Sequence, residues 1–183
     1  MIKKMFFIFL VLTSCVNSKE TKIDDTNNSE PTSSEKEISN DKNFEIEVKM
    51  RSYEDENITL FYTSSYPEEK FNGDKVISKN IDGRDSFQTI MFSLPENEIP
   101  FSIRLDFGNT VRKNIGDVDL EYIKMSYSGK AISIIQDSFP RYFQHNGFMK
   151  YTESGYSRFV VDGNYDPFII SNDNLYNKIE SEL

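Results

Sequence analysis

Alternation of apolar and polar residues runs through the chain from residue 44 to about residue 129. In the stretch FEIEVKM the apolar positions alternate with charged ones, and they are Phe44, Ile46, Val48 and Met50. A period of two residues is that of a β-strand with one buried face. Further stretches of the same kind are ITLFYT, KVISKNI, SFQTIMFSL, FSIRLDF and VDLEYIKMSY. In SFQTIMFSL apolar residues fall on both sides, which predicts burial on both faces near its end.

Short turn signals separate these strands, among them FNGD, IDGRD and LPENEIP, and no amphipathic helix lies between them. Short strands joined by such turns predict an all-β fold, an antiparallel β-sandwich, over residues 44–172. After KAISII, the stretch DSFPRYFQHNGF predicts one helical turn. Two short strands, near Arg158–Asp162 and Phe168–Ile170, are expected to complete the domain. For residues 173–183 we expect a flexible C-terminal tail or a short surface helix.

A family resemblance accompanies this pattern. The segments TLFYTSSYPEEKFNGDKVISKNIDG, DSFQTIMFSLP, PFSIRLDFGNT and VDLEYIKM follow one another between Phe44 and Gly129. Their order resembles the galactose-binding-like β-sandwich modules of bacterial envelope proteins. The resemblance implies a jelly-roll fold and a sugar-facing role, and it does not imply catalysis.

The first residues read as an export signal. Lys3 and Lys4 precede an apolar run that is too short to span a membrane, and the only cysteine, Cys15, follows the junction LTS. This junction resembles the lipobox of bacterial lipoproteins, in which residues 1–14 would be removed and the cysteine would carry a diacylglycerol. A disulfide within the chain is excluded because there is no second cysteine. Cleavage by an ordinary signal peptidase, which would leave a free thiol, is the alternative.

Residues 15–43 are polar and contain no aromatic side chain, which predicts a disordered linker behind the lipidated cysteine. The segment SKETKIDD within it resembles the surface-export signals of lipoproteins in the Bacteroidetes group. We therefore expect the protein in the bacterial cell envelope, anchored by lipid in the outer membrane. The sequence agrees with attachment to either the periplasmic face or the cell-surface face of that membrane. The formal net charge of −9 argues against nucleic-acid binding, which needs clustered Lys and Arg.

Nothing in the sequence indicates an enzyme. His145 is the only histidine, and the chain has no GxSxG motif of the kind that places a catalytic serine. A zinc site is disfavoured because the chain offers one histidine and one thiol, and the thiol is assigned to lipid. The 30 Asp and Glu residues supply many carboxylate pairs, so no single pair indicates glycoside hydrolysis.

Two groups of residues are candidates for binding. Tyr62, Tyr66, Arg84 and Asp85 flank the third predicted strand, where aromatic rings could stack on a sugar and charged groups could fix its hydroxyls. The phrase RLDFGNT offers Asp106 and Asn109 as oxygen ligands for a structural calcium ion. The alternative for that phrase is a turn in which the Asp and Asn side chains cap main-chain amides, with Arg104 pairing to a nearby acid. No other cofactor is expected.

Two functions agree with these features. The first is a lipid-anchored envelope protein whose non-catalytic β-sandwich binds an envelope or extracellular glycan. The second is a structural or protein-interaction lipoprotein that acts as an accessory subunit of an envelope complex, since an exposed sheet edge can accept a partner strand.

Overall fold

A computed structural model describes residues 42–65, 71–108, 110 and 115–183. These residues belong to one compact unit, Glu37–Leu183. Eleven strands are described: β1 Glu45–Ser52, β2 Glu56–Thr63, β3 Val76–Ile81, β4 Gln88–Ser93, β5 Ser102–Phe107, β6 Val118–Tyr127, β7 Lys130–Ile135, β8 Phe143–His145, β9 Met149–Tyr151, β10 Gly155–Arg158 and β11 Phe168–Ser171. A 3₁₀ turn, Gln136–Ser138, leads into helix α1, Phe139–Tyr142, and helix α2, Asp173–Glu182, ends the chain.

The strands form two antiparallel sheets, as the sequence predicts. One has the order β4-β1-β6-β10-β9, with β7 also paired to β6, and the other has the order β3-β2-β5-β11-β8. The all-β sandwich is therefore confirmed. The connections β3–β4 and β8–β9 each join an edge strand of one sheet to an edge strand of the other.

The buried faces of most strands are those that the alternation indicates. The apolar side chains of β1, β2 and β5 that face inward are all at most 4% exposed: Ile46, Val48, Met50, Ile58, Leu60, Tyr62, Ile103, Leu105 and Phe107. In β4 the expectation of burial on both faces is wrong. Ile90 and Phe92 are buried, whereas Met91 is 40% exposed because its side chain points to the opposite face, away from the core.

A β-bulge in β6 changes which residues face the core. Val118 and Leu120 are buried at its start, and Ile123 and Met125 are buried later in the strand. The pairing of β1 with β6 shifts between Lys49 and Met50, so that one extra residue of β6 is accommodated there. An unbroken alternation would have placed Tyr122 inside, but the shift turns it outward.

The end of the chain differs from the predicted flexible tail. Residues 173–182 form helix α2, whose first turn is capped by the Asn172 side chain accepting a hydrogen bond from the Asn174 amide at 3.0 Å. Leu175 and Ile179, four residues apart, are both buried in the core. The burial of this apolar pair orders the helix, so the short-helix alternative is the one observed.

The segment between β7 and β11 also differs in detail. The predicted helical turn is present as the 3₁₀ turn and α1. The short strands β8 and β9 were not predicted. The strand expected over Arg158–Asp162 instead ends at Arg158, and Asp162 and Gly163 have positive φ angles in a tight turn. No helix among the described residues has the length and apolar composition that crossing a bilayer requires.

Candidate functional site

Two of the predicted ligand-binding residues, Arg84 and Asp85, lie on the exposed β3–β4 connection. The Arg84 guanidinium donates to Gln88 Oε1 at 2.7 Å, and Asp85 Oδ1 is 3.2 Å from Arg51 Nη1. Tyr62 is only 4% exposed and belongs to the core, so its prediction as a stacking platform is wrong. The alternating pattern places Tyr62 on the inner face of β2, where a large ring fills the core. Tyr66 lies outside the described residues.

The surface around Arg51 is occupied by its own contacts. The guanidinium lies over the rings of Tyr53 and Phe87, at 5.1 and 5.2 Å from their centroids, and it pairs with Asp119 at 2.7 Å. The hydrogen bond that the Arg51 guanidinium donates to the Asp119 carboxylate raises the pKa of Arg51. Because the aromatic faces and the carboxylates here are engaged with Arg51, we assign this surface a structural role.

Asp106, the predicted calcium ligand, is held by an arginine. Both of its carboxylate oxygens accept from Arg104, at 2.6 and 2.8 Å, and Arg104 also reaches Asp166 at 3.2 Å. Burial raises the pKa of Asp106, and Arg104 partly offsets this. The guanidinium lies 3.7 Å from the ring centroid of Phe168. The pairing of Arg104 with nearby acids agrees with that part of the alternative interpretation, but Asp106 lies in strand β5 and its carboxylate binds Arg104, not a main-chain amide of a turn.

Calcium binding at this turn stays a prediction, because its second ligand, Asn109, lies outside the described residues. Within residues 42–65, 71–108, 110 and 115–183, no three carboxylate, imidazole or thiol side chains are placed to share a metal ion. A calcium ion at Asp106 would have to replace Arg104 on the carboxylate.

A cleft of about 460 Å³ opens elsewhere, where the edge strands β8 and β9 of the two sheets diverge. Helix α1, β8, β9 and β10 supply its walls, which consist of Pro140, Phe143, Gln144, His145, Tyr151 and Tyr156. None of these side chains is a carboxylate, a lysine or an arginine. The cleft is therefore lined by aromatic rings with three kinds of polar group at hand: phenol, imidazole and amide.

Tyr156 is the central residue of this cleft. It is 1% exposed, and its ring makes edge-to-face contacts with Tyr151 and His145, at centroid distances of 5.4 and 6.1 Å. Burial raises the pKa of the Tyr156 phenol far above its ordinary value, so the hydroxyl keeps its proton. No described residue forms a hydrogen bond with that hydroxyl.

The hydroxyl of Tyr156 is thus available to a ligand. Every fully enclosed side-chain nitrogen and oxygen among the described residues has a hydrogen-bond partner. Since the Tyr156 hydroxyl has none, it must reach the cleft that its side chain lines. A phenol buried on all other sides and open to a cleft is a fixed donor and acceptor for a bound molecule.

The neighbouring groups are held in place by the main chain. Tyr151 donates its hydroxyl to Gln136 O at 2.8 Å, which fixes its ring beside Tyr156. His145 Nδ1 is 3.0 Å from Asn146 O. A carbonyl can only accept, so Nδ1 donates to it, and Nε2 is the ring nitrogen left for a ligand.

A polar groove of about 530 Å³ adjoins the aromatic cleft, and the exposed Gln144 lines both. Its other walls are the end of β11 and the start of α2: Ile170, Ser171, Asn172, Asp173 and Asn174. Two amides on this wall, Asn172 and Asn174, donate to Arg141 O at 3.0 and 2.9 Å. The lining therefore changes from aromatic side chains in the cleft to polar side chains in the adjoining groove.

The sequence indicated Tyr156, like Tyr66, as a tyrosine that a loop of the sandwich could present to a sugar, but it indicated Tyr151 only as one of many aromatic residues and His145 only as a lone surface or structural histidine. The usable signal was their density: YFQH and two tyrosines occur within 15 residues, in short segments without strict alternation. Side chains outside a regular alternation are those most able to face a cleft. No protein-family model matches the chain, and neither a curated protein nor a solved structure shows significant similarity to it.

Proposed function

We propose that the chain is a lipid-anchored envelope protein whose β-sandwich is a non-catalytic binding module for a neutral glycan. The observation that supports this most directly is the Tyr156 hydroxyl, buried among aromatic rings and without a protein partner at the cleft. Because this hydroxyl reaches the cleft and has no partner within the described fold, a ligand hydroxyl can bind it without breaking a hydrogen bond of the protein.

The lining suits a sugar ring. One face of a pyranose is apolar and packs on an aromatic ring, here that of Tyr151, while its hydroxyls need polar groups. The Tyr156 hydroxyl is a fixed polar group, and the imidazole of His145 and the amide of the exposed Gln144 lie beside it in the lining. Because no carboxylate, lysine or arginine lines the cleft, it favours a neutral ring over an acidic or cationic one. The adjoining polar groove would take a further sugar unit.

The surroundings of His145 support binding in place of hydrolysis. A catalytic triad needs a carboxylate on Nδ1 to orient the imidazole and stabilise its cation. Here Nδ1 faces the main-chain carbonyl of Asn146. The raised pKa of Tyr156 keeps its phenol protonated, which suits a hydrogen-bond donor and not a general base.

The membrane anchor of the proposal rests on the sequence. Cys15 and the linker lie outside the described residues, and the lipobox-like junction before Cys15 is the support for lipidation. The first described residue, Lys42, immediately precedes the sandwich. If residues 15–43 form the linker that the sequence predicts, the cleft would reach glycans within about 30 Å of the membrane surface on average.

Replacing Tyr156 with phenylalanine should weaken glycan binding about tenfold, because it removes only the hydroxyl that the ligand would engage. The free energy of unfolding should be unchanged, since that hydroxyl makes no hydrogen bond within the described fold. The chain carrying Cys15→Ala would be screened on an array of neutral oligosaccharides, and the strongest would be titrated by calorimetry against both forms.

Tyr122→Phe is the matched control. The Tyr122 hydroxyl donates to Glu47 on the outer face of the sheet that also contains Tyr156, and Tyr122 does not line the cleft, so its removal should leave glycan affinity unchanged. Absence of any glycan on the array, or equal affinity of Tyr156→Phe and the parent chain, would overturn the assignment of the cleft.

The anchor has its own test. In a bacterial host fed a fatty-acid analogue, the parent chain should carry the label and fractionate with membranes, and Cys15→Ala should lose both, since the thiol is the proposed attachment point. Thermal unfolding of the two forms should coincide. Membrane retention of Cys15→Ala without label would show that Cys15 is not the anchor.

A further inference from the structure

Strand β4 is an edge of its sheet and lacks the usual protection of an edge strand. It pairs with β1 over six consecutive residues without a bulge, and β1 is the only described strand beside it. Its sequence, QTIMFS, contains no charged residue, proline or glycine. Natural edge strands are normally shortened, charged, bulged or covered, because open main-chain groups invite another strand.

The other described edges carry such protection. β3 includes the exposed Lys79, and β8 and β9 are three residues long, with Lys150 at the centre of β9. β7 begins with Lys130. Within the part of the chain that the structure describes, β4 is thus the long edge on which neither charge nor shape prevents pairing.

The main-chain groups that β4 leaves open can be assigned. Leu94 N donates to Phe44 O at 2.8 Å, so Leu94 and Phe44 are a hydrogen-bonded pair. Such pairs alternate along an antiparallel ladder, so Gln88, Ile90 and Phe92 also direct their N–H and C=O toward β1. The N–H and C=O of Thr89, Met91 and Ser93 therefore face the open side, and these three side chains are exposed.

We propose that this edge pairs with β4 of a second copy of the chain, antiparallel about a twofold axis at Met91. This register places Met91 opposite Met91 of the partner and Thr89 opposite Ser93. All three outward residues then form hydrogen-bonded pairs. A shift by two residues, which keeps the faces matched, would leave Ser93 or Thr89 of each copy without a β4 partner, depending on its direction.

Charge favours a second copy at this edge. Two chains with a net charge of −9 repel one another, and an uncharged strand is where they approach with least repulsion. The same twofold axis brings the exposed Arg84, just before β4, toward the exposed Glu96, just after β4 of the other copy. The contact is isologous, so it closes as a dimer and does not propagate.

Cysteine cross-linking tests this register. In a Cys15→Ala background, Met91→Cys should form a disulfide-linked dimer under mild oxidation, because the Cα atoms of a hydrogen-bonded pair lie about 5.5 Å apart. Thr89→Cys and Ser93→Cys should each form no disulfide-linked dimer alone, because neither faces its own copy, and they should cross-link when they are mixed. Ser78→Cys, on the exposed edge strand β3, is the control for chance collision and should not cross-link.

A second variant avoids any dependence on disulfide chemistry. Thr89→Pro removes an N–H that faces the open side and that β1 does not use, so the fold should persist while the dimer dissociation constant rises about tenfold or more, measured by sedimentation equilibrium. A monomer at all concentrations, cross-linking of Ser78→Cys equal to that of Met91→Cys, or capture of a different protein at β4 with no self-association would overturn the proposal.

Discussion

Replacing Arg158 with alanine should lower the free energy of unfolding by about 3–5 kcal/mol, among the largest losses expected from a single substitution in this chain. For a folded part of this size, the corresponding fall in melting temperature is about 10–20 °C. Thermal and urea unfolding followed by circular dichroism would measure both quantities.

The reason is a buried ion pair that joins the two sheets. Arg158 of β10 and Glu56 of β2 have side chains that are 1% and 5% exposed, and Arg158 Nη1 is 2.7 Å from Glu56 Oε1. Arg158 also donates to Phe107 O at 2.9 Å and to Gly116 O at 2.8 Å. Truncation at Arg158 would leave the Glu56 carboxylate buried without its counter-charge and two carbonyls without their donor.

The exposed pair Lys178–Glu182 provides the control. Its nitrogen and oxygen are 2.6 Å apart, yet the Glu182 side chain is 50% exposed, so Lys178→Ala should cost at most about 0.5 kcal/mol. Glu56→Ala should cost nearly as much as Arg158→Ala, and the two losses should not add in the double variant. A loss below about 1 kcal/mol for Arg158→Ala would show that the pair is solvated and not a buried link between the sheets.

Gly155→Ala should destabilise the fold by about 3 kcal/mol or more, because a side chain at this position would meet main-chain atoms of β6. A Cβ there would lie 2.1 Å from Val118 O and 2.8 Å from Leu120 N. The φ angle of 153° adds strain for any residue other than glycine. Neither neighbour is the end of a flexible side chain, so relief requires the separation of β10 from β6.

Gly147→Ala is the comparison. A Cβ at Gly147 would have no atom within 4 Å, so the substitution should leave stability unchanged or slightly higher. Gly155→Ala should also weaken glycan binding, because it displaces the adjacent Tyr156, and amide exchange should accelerate along the start of β6. Equal melting temperatures for the two variants would contradict the close approach of β10 to β6.

The candidate site was only partly predictable. Tyr62 and Tyr156 are both buried tyrosines, and local pattern does not distinguish one that fills the core from one whose hydroxyl reaches a cleft. The difference lies in the neighbours. Tyr62 follows the inner face of a central strand, whereas Tyr156 is packed beside Tyr151 and His145 at the edge where the sheets diverge.

The amino-acid sequence alone determined the fold class and most inner faces, because burial of one face of a strand is recorded in side chains two residues apart. The burial of Phe44, Ile46 and Val48, for example, follows from the alternation alone. Helix α2 was undecided, because Leu175 and Ile179 become a buried pair only when a core is present to receive them.

Only the tertiary structure decided which strands are neighbours. The ion pair between Glu56 and Arg158 joins residues 102 positions apart, and the aromatic cleft exists because β8 and β9, adjacent in the chain, end on different sheets. The open edge of β4 likewise follows from strand order. Alternation indicates which face of a strand is buried. Strand order depends on many weak contacts between residues that are distant in the sequence, and a local pattern does not contain that information.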